Sequence, residues 1–82
     1  MNIYLIEQST NCGYDAYDSA VVIAENEEQA VSIHPYDGLN WDGEDEIYGC
    51  WTNKKNVTAT LIGQASEDET EPRVVLGSFN AA

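Results

Sequence analysis

Residues 17–35 read YDSAVVIAENEEQAVSIHP, and this stretch decides the fold. It opens with the apolar run Ser19-Ala20-Val21-Val22-Ile23-Ala24. A run this short, β-branched and almost continuously apolar fits a strand buried on both faces, because a helix needs more length. The pattern then changes to helical spacing. Asn26 is placed to act as an N-cap, its side-chain oxygen accepting from the free N–H groups of the first turn. Gln29, three residues on, suits a capping box in which Asn replaces the usual Ser or Thr. Glu27 and Glu28 fall where the helix dipole favours negative charge. Ala30, Val31, Ile33 and His34 form one stripe at helical spacing, and Pro35 stops the helix by pushing the residue before it out of the helical region. A helix of about two turns does not persist alone, so it must lie on the sheet that residues 19–24 help to build.

Working outward, residues 2–7 (NIYLIE) predict a first strand with Ile3 and Leu5 on one side and Tyr4 and Ile6 on the other. Residues 8–18 read as a polar loop. Residues 36–56 form a long irregular segment with three of the six glycines and both tryptophans, and residues 46–51 within it suit a short extra strand. A connection this long in a compact domain is usually functional or mobile. Residues 56–64 predict a strand with Val57, Ala59 and Leu61 on one face and Thr58, Thr60 and Ile62 on the other. Residues 65–72 (ASEDETEP) read as an acidic turn or hairpin loop, and residues 73–79 as the last strand. The order strand, strand, helix, loop, strand, strand predicts one α+β domain over residues 1–82. Its sheet is mostly antiparallel and four- to five-stranded, with one short helix packed on one face. The other face, expected to carry Tyr4, Ile6, a residue pair from 20–24, Ile62 and Val75 or Phe79, is too apolar to sit comfortably in water. It is expected either to be covered by the 36–56 segment, with Trp41 and Trp51 as lids, or to meet a second copy or a host protein. The lid arrangement is preferred.

Composition bounds the partners. Fifteen acidic residues against three basic ones give a formal charge of −12 in 82 residues. That disfavours direct binding to nucleic acid or an anionic membrane and makes a basic protein surface the natural partner. The first residues, MNIYLIEQ, lack the basic start and apolar core of a signal peptide. No run approaches the ~20 apolar residues that span a bilayer. A soluble, cytoplasmic protein is expected, in which Cys12 and Cys50 are free thiols more readily than a disulfide.

Chemistry is hard to assemble from these residues. His34 is the only histidine, and its place on the helix stripe gives it a structural role. Nothing in the spacing joins Cys12 or Cys50 to His34 as a thiol dyad, and Gly43 and Gly49 lack the pattern of a phosphate-cradling loop. The oxygen-rich residues 37–46 lack the ligand order of an EF-hand. No enzyme activity, cofactor or specific metal is expected.

What remains is charge. Asp42, Glu44, Asp45 and Glu46 form one acidic cluster, Glu67, Asp68, Glu69 and Glu71 a second, and Asp15 and Asp18 a lesser group. Such clusters are usually solvated loops. The sharper reading is mimicry of nucleic acid: duplex DNA carries about one charge per 1.7 Å of axis, and its binders line a groove with Lys and Arg. Carboxylates spread over one side of a small protein can occupy that groove, with Trp41 and Trp51 supplying anchor area.

The pattern YDAYDSAVVIAENEEQAVSIHP over residues 14–35, with VTATLIGQA over 57–65 and VVLGSFNAA over 74–82, resembles a family of short, acidic, uncharacterised phage and prophage proteins. The resemblance covers most of the chain and carries no binding or catalytic residues with it. It implies a phage-derived interaction protein acting in the host cytoplasm. The most specific form would be an anti-CRISPR-like inhibitor that binds a basic, nucleic-acid-binding surface of a host or phage protein. The alternative is a small-molecule-binding or sequestering protein, a homodimer whose second sheet face and aromatic loop make the pocket.

Overall fold

The computed structural model describes residues 1–9, 16–36, 51–52 and 56–80. Among them are four strands and one helix: β1 (Asn2–Glu7), β2 (Ala16–Ala24), α1 (Glu27–Val31), β3 (Thr58–Gln64) and β4 (Arg73–Asn80). The strands form a single antiparallel sheet in the order β3-β1-β2-β4. With the helix this is the expected α+β architecture.

The register sorts the side chains into two faces. Tyr4 lies opposite Val22 and Ile6 opposite Ala20, while Val74 joins from β4 and Ala59 from β3. This face is the core. Tyr4, Ile6, Ala20, Val22 and Ala24 pack with Ala30 and Ile33 of the helical region and with Trp51 and Val57; Ile6 and Val22 are completely shielded from solvent. The helix therefore covers the Tyr4/Ile6 side, the reverse of the side expected from the sequence, and Trp51 closes the same side beside it. Alternation assigns residues to faces but cannot say which face the following helix will cover.

The start of the helix follows its sequence signals. Asn26 Oδ1 accepts from the Gln29 N–H at 2.8 Å. The Gln29 side chain reaches one residue further back than a capping box requires, accepting from the Glu25 N–H at 2.7 Å. The helix is shorter than expected, five residues, and ends before Pro35 is reached. Ser32 closes it, its N–H donating to the Gln29 carbonyl at 3.1 Å and its hydroxyl to the Glu28 carbonyl at 3.0 Å. Ile33 and His34 beyond this closure are still buried.

Two readings change. Residues 16–18, assigned to a loop, belong to β2. Asp18 sits at an irregularity that resets the pairing, so that Tyr17 meets Phe79 and Ser19 meets Ser78. Tyr17 packs against the core, its ring 4.9 Å from that of Phe79. It also lies over Gly77, where an added Cβ would come within 2.7 Å of the ring. Residues 65–72 are no hairpin loop. Their flanking strands β3 and β4 are the two opposite edges of the sheet, so the segment crosses the end of the sheet past β1 and β2. It is tied there by Ala65 N–H donating to the Met1 carbonyl at 3.0 Å. The extra strand expected at 46–51 falls outside the described residues except for Trp51, which is in no strand.

Candidate functional site

The crossover defines one end of the sheet. Asn2 lies opposite both Ala24 and Gln64, and Arg73 lies opposite Ile23. The end of β2, the end of β3 and the start of β4 therefore meet at the same rim. Two acidic stretches follow from it. Glu25, Glu27 and Glu28 come directly after β2 and are exposed; Glu67, Asp68 and Glu71 are exposed in the crossover, with Glu69 half-buried.

The crossover is locally organised. The Glu69 N–H donates to the Ser66 carbonyl at 3.0 Å, and the Asp68 N–H lies 3.4 Å from the Ser66 hydroxyl. Glu69 takes a two-point contact from Arg73, with Nε to Oε2 at 3.1 Å and Nη2 to Oε1 at 2.6 Å. The hydrogen bonds from Arg73 hold the Glu69 carboxyl below its ordinary value, and the same bonds raise Arg73. One carboxylate of the cluster is thus neutralised within the fold, leaving Glu67, Asp68 and Glu71 to face outward. No three His, Cys, Asp or Glu side chains among the described residues converge on a metal position. The rim is a spread of charge, whose field reaches about one Debye length, ~8 Å, into physiological salt.

The other residues singled out from the sequence have different places. Trp51 is 2% exposed and belongs to the core, so in this fold its ring supports the sheet and presents no anchor to a partner. The reason is the unfinished Tyr4/Ile6 face, which the five-residue helix is too short to close. Asp42, Glu44, Asp45, Glu46 and Trp41 lie outside the described residues, as do Cys12, Cys50 and Asp15. Asp18 is exposed and accepts from the Ser19 hydroxyl at 3.0 Å. His34 is buried, its Nδ1 accepting from the Tyr36 N–H at 3.1 Å. From the sequence Glu27 and Glu28 read only as first-turn residues, and Glu25 carries no reading. No local pattern signals that they share a rim with residues 67–71, because the long-range pairing of β1 with both β2 and β3 brings them there.

Recesses bordered by described residues include the following pair. One, about 260 Å³, is bordered by Glu7, Gln8, Ser9, Asn56 and Thr58. The other, about 270 Å³, lies on the sheet face opposite the helix. Both fall below the roughly 300–1,000 Å³ of ordinary small-molecule sites. No helix among the described residues is long and apolar enough to cross a membrane. Comparison with protein-family models, curated proteins and solved structures found no match to this chain.

Proposed function

We propose that the protein is a non-enzymatic interaction module whose acidic rim docks on a basic, nucleic-acid-binding surface of another protein. The observation that carries this reading is the crossover, which adds Glu67, Asp68 and Glu71 to the rim where Glu25, Glu27 and Glu28 follow β2. Arg73 is the only Lys or Arg among the described residues, and it is engaged with Glu69. Carboxylates distributed this way steer encounter with a positive groove and compete with the phosphates that would otherwise fill it. The most specific form of the reading is a phage-derived inhibitor of a host defence system, anti-CRISPR-like and acting in the host cytoplasm. That form draws on the resemblance carried by residues 14–35 and 74–81. The cluster Asp42, Glu44, Asp45 and Glu46 would extend the acidic surface.

The test is capture of partners from host lysate on the tagged protein, with washes at rising salt and identification by mass spectrometry. A basic nucleic-acid-binding protein that elutes as salt rises is the expected result. Reversing Glu67, Asp68 and Glu71 to Lys should abolish that capture while leaving the fold intact, since all three are exposed. Reversing Glu44, Asp45 and Glu46 in a separate variant reports on the other cluster. If the captured protein binds both variants as before, docking through these carboxylates is wrong.

A further inference from the structure

Exposed apolar side chains flank the acidic crossover on both sides. Leu61 and Ile62 lie within three residues of the end of β3, and Val75 and Leu76 within three residues of the start of β4. More than half of Leu61, Ile62 and Leu76 is open to solvent, and nearly half of Val75. Single exposed hydrophobics are ordinary. These come in pairs, one pair on each outer strand, toward the same end of the sheet. The backbone is shaped there too. Ile3 lies opposite Gly63 and Tyr4 opposite Leu61, so Ile62 is an extra residue on its strand. Val21 lies opposite Leu76 and Val22 opposite Val74, so Val75 is an extra residue on the other edge. Bulges of this kind re-aim a side chain. Outer strands are commonly guarded by charge. Here the charge sits in the crossover, and the strands beside it present aliphatic surface.

Taking the acidic rim as the docking surface proposed above, we infer that the groove it enters is one for single-stranded nucleic acid, with Leu61, Ile62, Val75 and Leu76 covering the platforms on which bases stack. The two forms of nucleic acid present different surfaces. A duplex keeps its bases stacked inside and meets its binder largely through phosphate and sugar, in interfaces that are polar and wet. A copy of that surface needs carboxylates and gains nothing from exposed aliphatic side chains. A single strand offers charge and bare base faces together, and its binders answer with a basic groove set with aromatic side chains. The rim carries the same two components. Glu67, Asp68 and Glu71 stand in the middle, with an apolar pair at each shoulder. Aliphatic side chains laid on aromatic faces bury area and leave no polar group to satisfy. The dimensions agree. β3 and β4 are the two edges of a four-stranded sheet, and three spacings of ~4.8 Å set them about 14 Å apart. At ~3.4 Å per nucleotide that is about four nucleotides, the short end of the roughly 4–16 that such grooves hold.

Capture from host lysate followed by competitive release tests this. The competitors are oligothymidylate and oligouridylate of about twenty nucleotides and a DNA duplex of equal length. The expected result is release of the captured basic protein by one or both single strands at a concentration at least about tenfold below that of the duplex. Ile62→Ser combined with Leu76→Ser, one from each shoulder, should speed dissociation of that protein by about tenfold, while association keeps its salt dependence. Leu61→Ser combined with Val75→Ser repeats the measurement with the other member of each pair. All four positions are exposed, so circular dichroism should show both variants folded. A duplex that releases the protein as readily as the single strands, or dissociation unchanged in both variants, would overturn the single-strand groove and leave docking through the carboxylates standing. No basic protein captured, or one held as before after the carboxylate reversals, would remove the docking reading and the groove together.

Discussion

The two faces of the sheet draw on alternate residues of the same strands, and they end in different conditions. On one, Tyr4, Ile6, Ala20 and Val22 are buried under Ala30, Ile33 and Trp51. On the other, Ile23 is buried near Arg73, Leu5 and Val21 are half-buried and Leu76 is open to water. Hydrophobicity does not separate them, since both carry β-branched and leucine-like side chains. What separates them is the direction the chain takes after Ala24, which lays α1 on the Tyr4 side. The closed face holds the fold together.

The largest test of that contrast is a matched pair of truncations. Ile6→Ala removes a fully buried side chain and should destabilise by about 2–5 kcal/mol. Leu76→Ala should stay within about 0.5 kcal/mol. Urea unfolding of both variants checks this, and comparable losses would erase the distinction between the faces. A smaller effect is expected where β4 meets the closed side. Gly77→Ala drives a methyl group into the Tyr17 ring, 2.7 Å from the new Cβ, and such crowding costs about 1–3 kcal/mol. Replacing Tyr17 by Ala as well should recover part of that loss, and a double-mutant cycle that proves additive would remove the ring as the cause.

Next is the helix that closes the covered face. Asn26→Ala removes the cap on the Gln29 N–H and should cost about 1 kcal/mol by thermal or urea unfolding. No loss would mean that packing alone holds α1 in place. The smallest effect is at the rim, where half-buried Glu69 pairs with exposed Arg73. Because Arg73 holds the Glu69 carboxyl below its ordinary value, the pair stabilises the fold above the ordinary carboxylate range. That contribution disappears as pH falls through the folded-state value. Arg73→Ala should move the Glu69 midpoint up toward 4.5, read from its carboxyl carbon by NMR titration. An unmoved midpoint would show that Arg73 is not what lowers it.

Much of this fold is legible in local patterns. The strand pairs at residues 2–7 and 19–24, the Asn26 cap and the α+β order of elements each follow from spacings a few residues long. What local patterns leave out is long-range. Nothing near Gln64 or Arg73 shows that their strands sit on opposite edges of the sheet, so ASEDETEP reads as an acidic turn or hairpin loop; the turn is there at residues 67–68, and the segment as a whole is a crossover. Nothing near Ala24 tells that Glu25 will share a rim with Glu67. Trp51 is legible in part. From the sequence it suits either a lid over the Tyr4/Ile6 face or an anchor for a partner, and its burial with Tyr4 and Ile6 fits the lid and not the anchor.

The crossover also has a consequence for the order in which the sheet is completed. β1 and β2 form the middle of the sheet, and both outer strands come later in the chain. As the polypeptide leaves the ribosome, the first hairpin has both flanks bare until β3 and then β4 arrive. Unpaired flanks invite association between nascent chains. Glu25, Glu27 and Glu28 follow β2 directly and are translated long before either outer strand. Their charge would keep neighbouring unfinished hairpins apart during that interval.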